Sequence, residues 1–108
     1  MISVNFFAAG RGSARLAGFQ VSGHSGIQGE SIVCAAVSSA CYMAANTITD
    51  VLLIDADISL RDGLMKLTVG DDEADNAQVI LRGLQIHLEQ LAEQYPDKIR
   101  IQISEVQQ

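Results

Sequence analysis

The chain predicts an α+β fold: a mixed five-stranded sheet with two helices packed on one face, in the order ββαββαβ. Three observations lead there. Apolar and polar residues alternate with period two near both ends of the chain, two long segments carry apolar residues at helical spacing, and the single proline, Pro96, stops the second of them.

Ile2, Val4 and Phe6 alternate with Ser3, Asn5 and Phe7, and after Gly10-Arg11-Gly12-Ser13 a second alternation runs through Ala17, Phe19 and Val21. Together they read as a hairpin ending at Gly23-His24. A helix from about Ile32 to Thr47 follows, with Val33, Val37, Ala40, Cys41, Ala44 and Ile48 on one stripe. Its small side chains allow close approach to a sheet. Next, Leu52, Ile54, Ala56 and Ile58 point one way and Leu53, Asp55 and Asp57 the other, which reads as a half-buried strand. Arg61-Asp62-Gly63 turns the chain into a partner strand through Met65, Leu67 and Val69. From Asp71 a second helix is expected, with Asp72, Glu73 and Asp75 in its first turn, where the helix dipole favours anions. Ala77, Ile80, Leu81, Leu84, Leu88, Leu91 and Tyr95 form its apolar stripe, and Arg82, Gln85, Glu89 and Glu93 are expected outside. Ile99, Ile101 and Ile103 give a last strand before a polar tail. The sheet face that the helices leave uncovered is a candidate dimer surface.

At 108 residues the chain fits one domain spanning residues 1–108. Hydrophobic residues make up 48% and mean hydropathy is +0.21, yet the apolar runs read as short and broken against the ~20 residues of a membrane span. No membrane association is expected. Met1 to Gly10 lacks the basic start of a signal peptide, which favours a strand there and a cytoplasmic location. A net charge of −6 with only seven Lys and Arg argues against direct nucleic-acid binding and suits a basic partner. Cys34 and Cys41 stand seven residues apart on one helix, about 10 Å, too far for a disulfide.

The chemistry concentrates between Gly23 and Ser38. Ser31 is a good N-cap, so Cys34 falls near the third helical position, where unpaired amides and the positive end of the helix dipole favour a thiolate. Gly26 and Gly29 allow the intervening loop to fold His24 back over the helix start. A cysteine beside a histidine makes an activated nucleophile. Two simpler readings stand beside this one: Cys34 as a small buried apolar residue, and His24 as an ordinary strand-end residue.

At Gly23-His24 and Ile32-Val33-Cys34-Ala35-Ala36-Val37-Ser38 the chain resembles the bacterial ribosomal-processing cysteine proteases, the Prp family. The resemblance extends to Met1-Ile2-Ser3-Val4, similar to the family's opening strand, and to Leu91 through Arg100, similar to its closing helix, break and strand. It implies a homodimeric cysteine endopeptidase with Cys34 and His24 catalytic. The implied substrate is the short N-terminal extension of a basic large-subunit ribosomal protein, the twenty-seventh, cut after an aromatic pair. The chain departs from the family in carrying Ser31 where many members have aspartate, and its loop between His and Cys is slightly shorter. A dyad and a triad completed by Glu30 or Ser31 therefore both stand open. The backbone amide of Cys34, with that of Ser31 or Val33, is the expected oxyanion hole. Gly23, Ser25, Gly26 and Gly29 belong to the loop expected to open for a peptide substrate.

Other readings of these residues are weaker. Gly23, Gly26 and Gly29 match neither G-x-G-x-x-G nor G-x-x-x-x-G-K-[ST], so no phosphate site or other cofactor is expected. Ser25 lies outside any G-x-S-x-G elbow. His24 and Cys34 offer two metal ligands with no second pair to complete a zinc site, and Asp71, Asp72, Glu73 and Asp75 lack the pattern of a calcium loop, so no metal is expected. Cys41, in mid-helix, reads as core, and His87 as solvent-facing. From other functional classes, a non-catalytic ribosome-assembly or translation-associated binding protein and a thioesterase acting on a small acyl substrate are the competing readings.

Overall fold

The structure is a computed structural model that describes residues 1–10, 14–23 and 32–105. Alternation at the N-terminus produces β1 (Ile2–Ala8) and β2 (Leu16–Ser22), paired antiparallel with Val4 opposite Val21 and Phe6 opposite Phe19. β3 (Asp57–Arg61) and β4 (Leu64–Thr68) form a second hairpin, and β4 adds to β2 with Leu67 opposite Phe19. β5 (Ile99–Glu105) lies along the other side of β1 in parallel, Ile2 opposite Ile99. The resulting mixed sheet has the order β3-β4-β2-β1-β5. With α1 (Ile32–Asn46) and α2 (Ala74–Gln94), this is the expected α+β architecture.

Alternation also decides the faces. Ile2, Val4 and Phe6 are buried while Ser3, Asn5 and Phe7 between them are only half-buried. The core builds on that inner face, where the Phe6 and Phe19 rings stand 6.4 Å apart and meet Val33, Val37, Cys41 and Ala44 of α1 and Leu81, Leu84 and Leu88 of α2. The outer face is polar: Ser104 Oγ donates to Asn5 Oδ1 at 3.1 Å, and the Lys66 ammonium lies 5.5 Å above the Phe7 ring. This uncovered face, the candidate dimer surface, is therefore polar, and a polar face gains less from burial than an apolar one.

Several expectations are corrected. The helix does not yield to a strand at residue 52; it runs on through a π-helical turn, Thr47–Val51, after which Leu53 adopts φ 57°. β3 therefore starts only at Asp57, and as the edge strand all five of its residues are exposed, including Ile58 and Leu60. The joined helix Ile32–Val51 is also long and apolar enough, by length and composition, to cross a membrane, so the apolar runs are not uniformly short. In this fold Val33, Val37, Cys41, Ala44, Ala45 and Ile48 bury its inner stripe in the core. Gln85 lies inside, 4% exposed, because α1 and the π-helical turn both pack on α2 and widen its covered face. Its amide is satisfied there, accepting from Arg82 at 2.7 Å and donating to Glu89 at 3.5 Å.

Within the acidic cluster, Asp75 lies in the first turn of α2, where the dipole favours an anion, but the cluster does more than this. Glu73 at the N-cap makes no side-chain cap bond, whereas Asp71 and Asp75 both pair with the Arg15 guanidinium, the latter at 3.3 Å. Arg15 thus ties the start of α2 to the start of β2. One turn on, Gln78 imitates a strand partner: its Oε1 accepts from the Leu16 amide at 2.9 Å and its Nε2 donates to the Leu16 carbonyl at 2.6 Å. Leu16 itself stands opposite Ala8, where the β1–β2 register shifts between Phe7 and Ala8.

Gly18 sits where β2 passes closest to β4. With φ at 155°, a Cβ there would overlap the Leu67 carbonyl oxygen. Gly18→Ala is expected to lower stability by about 3 kcal/mol or more, combining overpacking and backbone strain; urea unfolding measures it, and a loss under about 1 kcal/mol would contradict this packing.

Candidate active site

The end of β2, the start of β1, the β3–β4 turn and the start of β5 meet at one end of the sheet. β2 ends at Ser22, and Gly23 turns the chain out with φ 79°, its amide donating to the Gly63 carbonyl at 3.3 Å. A Cβ on Gly23 would stand 2.5 Å from the Met1 carbonyl oxygen, so glycine is required where the chain passes over the start of β1. The next residue is His24. His24, Ser25, Gly26, Gly29, Glu30 and Ser31 all lie outside the described residues.

The chain re-enters the description at Ile32, the first residue of α1, which makes Cys34 its third. Amides in this first turn have no carbonyl four residues earlier within the helix, so they and the helix dipole present positive potential to a nearby sulfur. Helical periodicity sets where that sulfur stands. Val33 and Val37 are buried at 4% and 1%, holding one face of α1 to the sheet, and Cys34 lies at the margin of that face, half-buried and packed against the core edge. Since Val33 spends its side chain in the core, only its backbone amide is available to a reacting carbonyl.

Cys41, two turns further on, is a core residue. It is fully buried, and the loss of hydration pushes its thiol up to about 12. Neither cysteine forms a disulfide. His87 is exposed on α2. Among the described residues no three His, Cys, Asp or Glu side chains gather in a metal-binding group. The close passage of Gly23 over Met1 is the one structural feature here that residue patterns did not disclose; a glycine immediately before histidine was its only trace.

Comparison with known proteins agrees with this geometry. The family model described as cysteine protease Prp matches residues 1–100. The Staphylococcus aureus ribosomal processing protease Prp, solved with a substrate peptide, superposes with a TM-score of 0.82 at 27% identity, covering 95% of this chain and 99% of that one. The same protein with a covalently linked product peptide gives 0.83 at 28% identity, with the same coverages. SMU.848 from Streptococcus mutans shares the fold, with a TM-score of 0.81 at 23% identity over 98% of this chain and 96% of that one. No curated protein matches the chain. A mixed α+β sheet carrying a thiol at a helix start is, in this company, a cysteine protease. The chain belongs to the Prp family, which the match over residues 1–100 establishes.

The contrast between the two thiols is measurable. Iodoacetamide applied to the native protein at pH 8 is expected to modify Cys34 at least about a hundredfold faster than Cys41, which stays protonated and sealed until the fold opens. Peptide mapping reads the ratio; comparable native rates would contradict the packing of α1.

Proposed function

We propose that this cysteine protease removes the short N-terminal extension of a basic large-subunit ribosomal protein, the twenty-seventh, using Cys34 as nucleophile and His24 as its acid and base. The observation that carries the reading is the half-buried sulfur in the first turn of α1, with His24 following Gly23 in the sequence ahead of it. Family membership supports it, as does the S. aureus relative, a ribosomal processing protease solved with a substrate peptide and with a covalently linked product peptide.

In this mechanism the Cys34 sulfur attacks the scissile carbonyl, and electrons pass to the oxygen, held by the Cys34 amide and that of Val33 or Ser31. The tetrahedral intermediate collapses to a thioester as protonated His24 gives its proton to the leaving amine. Neutral His24 then takes a proton from water, whose oxygen attacks the thioester; the C–S bond breaks, the N-terminal fragment leaves as its carboxylic acid, and the Cys34 thiolate is restored beside protonated His24. Glu30 or Ser31 orients the imidazole. A substrate made in the cytoplasm places the enzyme there, and its basic character matches the charge of −6 on this chain.

The homodimer that the resemblance implies has an apolar surface available, away from the polar sheet face. Ile58 and Leu60 are 42% and 57% exposed on β3, whose outer edge has no partner among the described residues, and Val51 and Leu53 are exposed just before it. Pairing β3 with its copy joins two sheets and covers these side chains.

Two outcomes test this account. With the extended ribosomal protein as substrate, mass spectrometry is expected to show loss of its N-terminal segment, and Cys34→Ala or His24→Ala to reduce kcat/KM by about 10⁴-fold or more. Stable binding without cleavage would instead favour the assembly-factor reading, and turnover of small thioesters alone the thioesterase reading. In sedimentation velocity the wild type is expected to be dimeric and Leu60→Lys monomeric at the same concentration; a dimer unchanged by the substitution moves the interface elsewhere.

A further inference from the structure

On the opposite side of the sheet from β3, the last turns of α2 overhang β5 and leave an open cleft of about 520 Å³. Its floor is Ile101 and Ile103, the latter 55% exposed, with Ala92 above them. Its rim is Glu89 and Glu93, four residues apart and so on one face of α2. Among the described residues neither glutamate takes part in an ion pair, Glu89 only accepting a 3.5 Å bond from Gln85. Below the rim β5 is an edge strand: β1 occupies one side of it and, among the described residues, no strand the other.

We infer that this cleft docks an extended, basic segment of the polypeptide substrate, laid along the free edge of β5. An exposed strand edge offers amides and carbonyls to an extended chain, and alternate side chains of that chain then face the cleft. Apolar ones meet Ile101 and Ile103. Lysine or arginine side chains reach the two glutamates, an arrangement that discriminates against acidic segments through charge. The inference rests on the proposed protease reading for the source of the segment, and it deepens that reading by adding a second contact remote from the scissile bond.

The topology sets the separation. β5 begins at the same sheet end as Gly23, since the Ile2 amide donates to the Lys98 carbonyl at 2.8 Å and Gly23 lies over Met1. A chain added outside β5 lies three strand spacings from β2, about 14 Å, which an extended peptide crosses in roughly four or five residues. Recognition is therefore expected to extend at least that far along a substrate whose cut bond lies by the end of β2, where Gly23 precedes His24.

The test uses Cys34→Ala protein, so that binding is read without cleavage, and an acetylated decapeptide of alternating lysine and valine as probe. The expected result is binding with amide shifts along β5 and at Glu89 and Glu93, a dissociation constant raised about fivefold to tenfold in Glu89→Gln/Glu93→Gln, and no binding of the glutamate-valine counterpart. Ile103→Lys, at an exposed position, is expected to weaken binding without changing the thermal midpoint. Equal affinity for the lysine and glutamate peptides, an unchanged constant in the double variant, or shifts confined to β3 would overturn the inference. So would concentration-dependent protection of β5 amides without peptide, which would assign the edge to a second copy of the chain. In otherwise wild-type enzyme the double variant is expected to raise KM for the extended ribosomal protein with kcat unchanged. Peptide binding at β5 together with failure to cleave that protein would refute the protease substrate while leaving the cleft as a basic-peptide site.

Discussion

The geometry of the site depends on the rotation of α1 about its own axis. Val33, Val37, Cys41, Ala44 and Ile48 form one buried stripe, and burying them against the sheet leaves the helix a single orientation. Successive helical residues are separated by about 100°, so Cys34 stands beside Val33 and Val37 at the boundary of the stripe. A rotation that placed it centrally would seal the sulfur as Cys41 is sealed, and one that placed it opposite would leave it in solvent. Small residues such as Ala44 and Ala45 make the close seating possible.

The second constraint is the crowding of backbone at that sheet end. Gly23 passes over the Met1 carbonyl, its amide bonds to Gly63, and the Ile2 amide bonds to Lys98. The β2 exit, the β3–β4 turn and the start of β5 are thereby held together. The opposite end is secured by Arg15 with Asp71 and Asp75 and by Gln78 on Leu16. Attractions at the far end thus hold the start of α2 to β2, while close contacts at the other end gather the strand ends.

Much of this was legible in the residues because period two and period 3.6 are direct records of burial on one face. Ile2, Val4 and Phe6 declared the inner side of β1, and Val33, Val37 and Cys41 that of α1. Leu52 to Ala56 misled because an apolar alternation that short is compatible with a helix end followed by coil, and only the packing of Ile48 and Ile54 beneath α2 and the sheet selects the latter. Gln85 went astray for a similar reason: a stripe predicts one covered face, whereas α2 is covered on a wider arc by α1 and the π-helical turn. Arg15 pairs with residues 56 and 60 positions away, a distance across which local spacing carries no signal. For the candidate site, Cys34 was legible from its place three residues after Ser31, a residue type favoured at helix starts, and the structure puts it third in α1. His24 and residues 25–31 are outside the described residues, so their part rests on sequence and on the family.

The central claim is that covalent chemistry occurs at the sulfur in the first turn of α1. Acid-quenching the enzyme during turnover of the extended ribosomal protein, then mapping the peptide that spans α1 by mass spectrometry, reads it directly. The account predicts a thioester-linked N-terminal fragment on Cys34, formed before free product and lost on treatment with hydroxylamine. Product accumulating with the adduct on another residue, or with no adduct at any time and full activity in Cys34→Ala, would contradict it.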